Sequence, residues 1–159
     1  MQKFLTIIFL LLLFGTNVCA KDLKFTKIID LDKPWGSSFI SDDEMIITEK
    51  SGKIKIINIK NGNVTKIDHN LNFLESGQGG LLDIIYKNNY IWISYTENRR
   101  NSETSTSIAR GKFNKNKINF KNIFQAEPPI ESGYHFGSRL AIKENYLFAS
   151  VGERGQGMI

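Results

Sequence analysis

The stretch GLLDIIYKNNYIWISYTE, residues 80–97, decides the fold class. It starts with glycine, continues as a short apolar run, turns over the polar KNN and returns as a second apolar run that ends in glutamate. Runs rich in Ile, Tyr and Trp that are bounded by Gly and Asn are typical of two antiparallel strands joined by a tight turn. The second run, YIWISY, is apolar on both faces, which predicts a strand that is covered on both sides.

The same pattern occurs three times along the chain. GSSFISDDEMIITE (36–49) precedes this stretch and GSRLAIKENYLFASVGE (137–153) follows it, and each copy also ends in glutamate. The spacing is irregular but of the order of one propeller blade, about 40–50 residues. One small sheet cannot cover its own faces, so blades stack around a channel. The sequence therefore predicts an all-β chain with the first two to three blades of a β-propeller.

Other apolar runs with strand character are expected to complete these blades. They are KFTKIID (24–30), KIKIINI (53–59) and KINFKNIF (117–124). The polar segment NRRNSETST (98–106) is expected to form a long loop. Known propellers close with roughly four to eight blades, so we expect residues 21–159 to be the N-terminal portion of a longer propeller.

The first twenty residues have the layout of a secretory signal peptide. Lys3 gives a positive start, a run of twelve apolar residues follows, and VCA ends at Ala20 with small residues where cleavage occurs. That run is shorter than the roughly 20 residues that span a bilayer. A lipid anchor at Cys19 is the alternative, although Val18 and Thr16 fit it poorly. We expect a periplasmic or secreted protein without stable membrane insertion.

The cysteine count and the net charge bear on two further questions, whether the protein has disulfides and whether it binds nucleic acid. Cys19 is the only cysteine and would leave with the signal peptide, so no disulfide is expected despite export. The formal net charge of +5 comes mainly from lysines scattered among asparagines. This pattern is typical of the solvent side of edge strands, and it argues against a nucleic-acid partner, which would require a clustered basic face.

Six segments then occur in a fixed order, and together they carry a family resemblance. They are PWGSSFISDDEMIITEKSGKIKII (34–57), GQGGLLDI (77–84), IWISYT (91–96), IARGKF (108–113), HFGSRLAI (135–142) and VGERG (151–155). This set resembles the N-terminal half of the soluble glucose/sorbosone dehydrogenases, also called aldose sugar dehydrogenases. The resemblance implies a six-bladed β-propeller that holds pyrroloquinoline quinone (PQQ) over its channel, with Ca²⁺ between the quinone and backbone carbonyls. It also implies oxidation of the C1 hydroxyl of an aldose to the lactone, hydride transfer to the quinone, and an external electron acceptor.

His135 and Glu153 are the candidate catalytic residues. A histidine between aromatic residues is usually a packing residue, but His135 matches the family's H-x-G-x-R-L segment, where the resemblance implies a general base. A neutral imidazole suits that task because its pKa lies near the working pH. The hairpin that begins after His135 ends at Glu153, so the carboxylate could return to the imidazole, hold its tautomer and stabilise the imidazolium.

Gln78 and Arg139 are the candidate cofactor-binding residues. Gln78 is either a turn residue or, as the resemblance implies, a contact to sugar and cofactor. Arg139 either contacts the cofactor or pairs with a carboxylate or with carbonyls as a buried anchor between blades, and Arg154 is expected to be a loop charge. No metal ligands can be named, because the sequence has neither an EF-hand loop nor a His/Cys cluster. The alternative to an enzyme is a propeller that binds glycans or proteins without redox activity.

Overall fold

The computed structural model describes residues 23–157, so the predicted signal peptide lies outside the described residues. The described chain forms eleven strands and no helix, and thus no helix long and apolar enough to cross a membrane. The strands are β1 (Pro34–Phe39), β2 (Glu44–Glu49), β3 (Lys53–Asn58), β4 (Val64–His69), β5 (Leu81–Lys87), β6 (Tyr90–Asn98), β7 (Thr104–Lys112), β8 (Lys117–Ile118), β9 (Lys121–Gln125), β10 (Gly137–Lys143) and β11 (Tyr146–Val151).

The strands form three sheets that follow the chain. The first sheet is the antiparallel meander β1-β2-β3-β4, the second has the order β5-β6-β7-β9, and the third is the hairpin β10-β11. The short strand β8, which lies between β7 and β9 in the chain, belongs to the first sheet, where it pairs in parallel with the outer edge of β4. The prediction of an all-β chain with two to three blades is confirmed.

We call the first strand of each sheet (β1, β5 and β10) its inner strand, and the inner strands connect neighbouring sheets. β5 packs against β1 and β2, and β10 packs against β5 and β6. The core fills the space between the sheets with fully buried aliphatic side chains, among them Ile46, Ile54, Ile84, Ile91 and Ile93. Burial of such a side chain stabilises the fold by roughly 1.5–3 kcal/mol, so apolar contact between sheets supplies the main stabilisation.

A buried hydroxyl group connects the first sheet to the second. The pairing of β1 with β2 is interrupted by a β-bulge between Pro34 and Ser37, which leaves the backbone N–H of Gly36 without a strand partner. That N–H donates to Thr48 Oγ1 at 2.9 Å. The same hydroxyl donates to the carbonyl of Leu82 on β5 at 2.5 Å. We call this arrangement, in which one hydroxyl serves a bulge and the next inner strand, the hydroxyl relay.

The hydroxyl relay recurs in the second sheet. Asp83 N–H, in the bulge of β5, donates to Ser94 Oγ at 3.0 Å, and Ser94 donates to the carbonyl of Ser138 on β10 at 2.6 Å. In the third sheet the N–H of Arg139 donates to Ser150 Oγ at 3.0 Å. The second strand of each blade therefore carries one hydroxyl that satisfies a bulge beside it.

Two sequence-based assignments are wrong. Residues 24–30 form no strand, and Phe25 there is 91% exposed. Among residues 23–157 this run makes no backbone hydrogen bond to a strand. The segment 98–106 is not entirely a loop, because β7 begins at Thr104 and the side chains of Thr104 and Thr106 are buried. Their hydroxyls donate to backbone carbonyls, which is why polar residues occupy a buried strand.

The glutamates that end the three repeats do not occupy equivalent positions in the three sheets. Leu81 pairs with Tyr95 and Gly137 with Val151 immediately before the bulges, so Glu97 and Glu153 each lie two residues beyond these pairs. In the first sheet the corresponding pair is Pro34 with Glu49 itself. Glu49 is consequently a fully buried strand residue, and its side chain accepts hydrogen bonds from the Asp32 N–H and the Lys55 ammonium.

Candidate functional site

Three loops meet at one rim of the inner strands. Residues 75–79 precede β5, residues 131–136 precede β10, and residues 152–156 follow β11. Because β10 and β11 are antiparallel, the start of one and the end of the other lie together. This places His135 Nδ1 in hydrogen-bond contact with Glu153 Oε1, as the hairpin argument predicts. We call these two residues the dyad.

The dyad faces solvent rather than the protein core. The side chains of His135 and Glu153 are 51% and 40% exposed. The contact with His135 lowers the pKa of the Glu153 carboxyl, with a further contribution from the N–H of Gly155, which lies 3.3 Å from Oε1. An ionised Glu153 places the imidazole proton on Nδ1, so Nε2 carries the free lone pair. The dyad can therefore accept a proton from a group that approaches the rim.

The backbone around His135 is held in an uncommon conformation. His135 has φ of 48°, and Gly137, Ser138 and Arg154 also have positive φ. For residues other than glycine the left-handed region costs roughly 1–2 kcal/mol each. The His135 N–H donates to Gln78 Oε1 at 2.9 Å, which fixes the histidine to the loop before β5. Strain concentrated at one loop is a feature of functional sites when the surroundings hold it in place.

Two glycines bring the three loops into direct backbone contact. A Cβ built on Gly77 would lie 2.4 Å from the carbonyl oxygen of Gly133, and one built on Gly152 would lie 1.9 Å from the carbonyl oxygen of His135. Any side chain at either position would push the loops apart. The rim thus depends on Gly77 and Gly152 to keep the dyad and Gln78 together.

Gln78 lies against the dyad as well as in a turn. Its backbone N–H donates to the Gly133 carbonyl at 2.7 Å, while its side-chain oxygen accepts from His135. These two bonds orient the amide so that its NH₂ group remains available as a donor. The predicted contact of Gln78 with sugar and cofactor stays a prediction.

Arg139 pairs with a carboxylate but is not buried. Its Nε lies 3.6 Å from Asp83 Oδ2, and its side chain is 83% exposed. Asp83 is buried and accepts the N–H of Leu140 at 2.8 Å. The anchor interpretation is therefore right about the partner and wrong about burial, and the guanidinium keeps free donors for an anionic ligand.

Arg154 was missed as a site residue. The sequence predicts a loop charge at this position, but Arg154 is only 7% exposed and its guanidinium lies 3.8 Å above the centre of the Phe136 ring. Burial lowers its pKa. Within the sequence only its position directly after Glu153 could have drawn attention to it.

The donor set suits a flat anion better than a metal ion. Among residues 23–157 no group of three or more His, Cys, Asp or Glu side chains could hold a metal. PQQ is planar and carries carboxylates, so it requires N–H donors, positive charge and close backbone approach. The free NH₂ group of Gln78 and the exposed guanidinium of Arg139 offer the first two, whereas the space beside Gly77 and Gly152 is filled by the carbonyls of Gly133 and His135, so these glycines serve the contact between the loops. Gln78 and Arg139 fit the quinone.

An open cavity of about 580 Å³ borders the rim. Its walls include the loop before His135, with Ser132, Gly133 and Tyr134, and the segment from Arg154 to Gln156. The Tyr134 side chain is exposed there. The loop before His135 and Arg154 therefore border the same open space.

Comparison with known proteins places this site in a family context. Residues 31–158 match the family model described as glucose/sorbosone dehydrogenase. The aldose sugar dehydrogenase YliI of Escherichia coli K12 is 30% identical over 136 residues, which is 79% of this chain and 37% of that protein. The chain thus spans less than two fifths of the length of this curated relative.

Solved structures show the same fold. The apo form of the soluble aldose sugar dehydrogenase from E. coli superposes with a TM-score of 0.73 at 30% identity, covering 79% of this chain and 39% of that one. The PQQ-bound aldose sugar dehydrogenase of Streptomyces coelicolor has a TM-score of 0.69 at 21% identity, covering 79% and 40%. This likeness confirms the partial β-propeller.

Proposed function

This chain belongs to the glucose/sorbosone dehydrogenase family, and from that membership we propose that it is part of a PQQ-dependent dehydrogenase that oxidises the C1 hydroxyl of aldoses to lactones. The observation that carries the proposal is the contact between His135 and Glu153 at the exposed rim. The aldose-directed activity and the quinone are supported by the relatives, which are described as an aldose sugar dehydrogenase and as a PQQ-bound form.

His135 acts as the general base in this proposal. Its Nε2 accepts the proton of the C1 hydroxyl, because Nδ1 already donates to Glu153. Loss of that proton allows the C1–H to leave as hydride, and the sugar becomes the lactone. Glu153 stabilises the imidazolium that forms and keeps the ring from rotating.

Gln78 and Arg139 bind and orient the cofactor that accepts the hydride in this proposal. The Gln78 amide can donate to a sugar or cofactor oxygen without adding charge, and Arg139 offers a positive charge to a carboxylate. When bound, PQQ supplies the two-electron acceptor for the hydride. Ca²⁺ stays a prediction from the family resemblance, as do the external electron acceptor and export to the periplasm or medium through residues 1–20.

The test uses protein expressed from the complete reading frame and reconstituted with PQQ and Ca²⁺. We expect aldose-dependent dye reduction, and we expect His135→Ala to lower kcat by about 10²–10⁴-fold, the usual contribution of a general base. His69→Ala is the matched control, because His69 is the only other histidine and lies at the end of β4.

Two results would count against the proposal. If His135→Ala reduced dye as fast as the wild type, the role of His135 as base would be refuted. If the wild type bound no PQQ in a spectral titration and oxidised no aldose, the enzyme assignment would fail, and a propeller that binds glycans or proteins would replace it.

A further inference from the structure

Arg154 is a buried cation whose hydrogen bonds all go to uncharged groups. Within residues 23–157 no carboxylate forms an ion pair with it. Four of its five N–H groups donate to the carbonyls of Thr104, Ser132 and Tyr134 and to Thr104 Oγ1. A buried charge that lacks a counterion is costly unless its hydrogen bonds are satisfied. These four hydrogen bonds offset the cost of burying the charge, and the groups that accept them show which parts of the site Arg154 holds in place.

The groups that Arg154 contacts lie on both sides of His135. Nε donates to the Tyr134 carbonyl at 3.0 Å, which directly precedes His135 in the chain. The guanidinium covers the ring of Phe136, which directly follows it, at 3.8 Å. One side chain therefore holds the residue before and the residue after the candidate base.

The backbone of Arg154 completes the connection to the other half of the dyad. Arg154 follows Glu153 immediately, and its carbonyl accepts the Ser132 hydroxyl at 2.7 Å. The loop before β10 and the loop after β11 are thus joined in both directions. The cavity of about 580 Å³ is lined by Arg154 as well as by Ser132, Gly133 and Tyr134, so these bonds hold the His135 loop to Arg154 beside open space.

We propose that Arg154 is a positioning residue, which sets the distance and angle between His135 and Glu153 and so fixes the imidazole tautomer. Arg154 touches neither sugar nor cofactor in this role; it acts through the dyad. The inference deepens the proposed dehydrogenase function and rests on it for its catalytic consequence.

The experiment measures the dyad directly in the protein without cofactor or substrate. NMR of ¹⁵N-histidine-labelled protein from the complete reading frame reports the tautomer of His135. We expect the Nδ1–H form in the wild type and a mixture of both tautomers in Arg154→Lys. With PQQ and Ca²⁺ added, we expect kcat to fall about 10–100-fold at little-changed KM, since small misplacement of a catalytic group has effects of this size.

Arg110→Lys is the matched control. Arg110 also covers an aromatic ring at 3.8 Å, that of Tyr90, but it is exposed on β7 and away from the dyad. We expect it to leave the tautomer and kcat unchanged. An Arg154→Lys protein indistinguishable from this control in both measurements would overturn the proposal.

Two further arms keep the result interpretable. If Arg154→Lys does not fold, Ser132→Ala removes the hydroxyl that donates to the Arg154 carbonyl and accepts from the Tyr134 N–H, and it leaves the Arg154 guanidinium in place. We expect the same direction with about a threefold loss of kcat, and an unchanged tautomer and kcat would overturn the proposal. A wild type that oxidises no aldose refutes the proposed function alone, because the NMR comparison does not depend on turnover.

Discussion

Replacing Ser94 by alanine is expected to destabilise the fold through two backbone groups at once. The Ser94 hydroxyl accepts from the Asp83 N–H at 3.0 Å and donates to the Ser138 carbonyl at 2.6 Å, and Ser94 is fully buried. A buried polar group left unsatisfied costs about 1–3 kcal/mol. With two such groups and no access for water, we expect the free energy of unfolding to fall by about 2–6 kcal/mol.

Chemical denaturation of the complete protein, followed by tryptophan fluorescence, measures this change. Ser37→Ala is the control, because the Ser37 hydroxyl is exposed and makes no hydrogen bond within the described residues; surface substitutions of this kind stay within about 0.5 kcal/mol. Ser94→Thr should retain most of the stability, since Thr48 performs the same task in the first sheet. If Ser94→Ala were no more destabilising than Ser37→Ala, the hydroxyl relay would not hold the sheets together.

Three other predictions concern titration and the rim. Burial, aided by the charge of Glu97, raises the pKa of Tyr95 to about 12. The stability that the neutral phenol contributes is present below pH ~10, the pKa of tyrosine in the unfolded chain, and is lost as the pH rises to about 12. Tyr95→Phe should therefore flatten the dependence of unfolding on alkaline pH. The contact with His135 lowers the pKa of Glu153, so the ionised carboxylate stabilises the fold above about pH 4.5 and this stabilisation is lost as the pH falls through the lowered pKa. Glu153→Gln should remove this loss of stability in denaturation measured from pH 3 to 6. An unchanged dependence of stability on acid pH would contradict the prediction. Gly152→Ala places a Cβ 1.9 Å from the His135 carbonyl oxygen. We expect unchanged strand content by circular dichroism and at least about a tenfold loss of kcat. Full activity would show that the three loops of the rim tolerate the displacement.

The sequence predicted strands wherever apolar residues recur, and failed where burial is polar. YIWISY became the interior strand β6, but Thr104 and Thr106 were assigned to a loop, because nothing in a run of hydroxyl residues shows that backbone carbonyls will satisfy them. KFTKIID has strand composition, yet a strand also requires a neighbour, which composition does not report.

The candidate site shows the same division. The proximity of His135 and Glu153 was predictable, because a hairpin returns its ends to one rim and the intervening turn was visible as KEN. The burial of Arg154 was not predictable, since an arginine after a strand is usually solvated and its four acceptors come from β7 and the loop before β10. Contacts within one hairpin follow from local pattern, whereas contacts between sheets depend on how blades stack.

The hydroxyl relay bears on how a chain of this kind lengthens in evolution. Its donor lies on the second strand of one blade and its acceptor on the inner strand of the next, as with Ser94 and Ser138. Each unit therefore encodes the joint to its successor within its own strands. Because the acceptor is a backbone carbonyl, a duplicated unit would meet the same acceptor in its successor whatever side chains that successor carries.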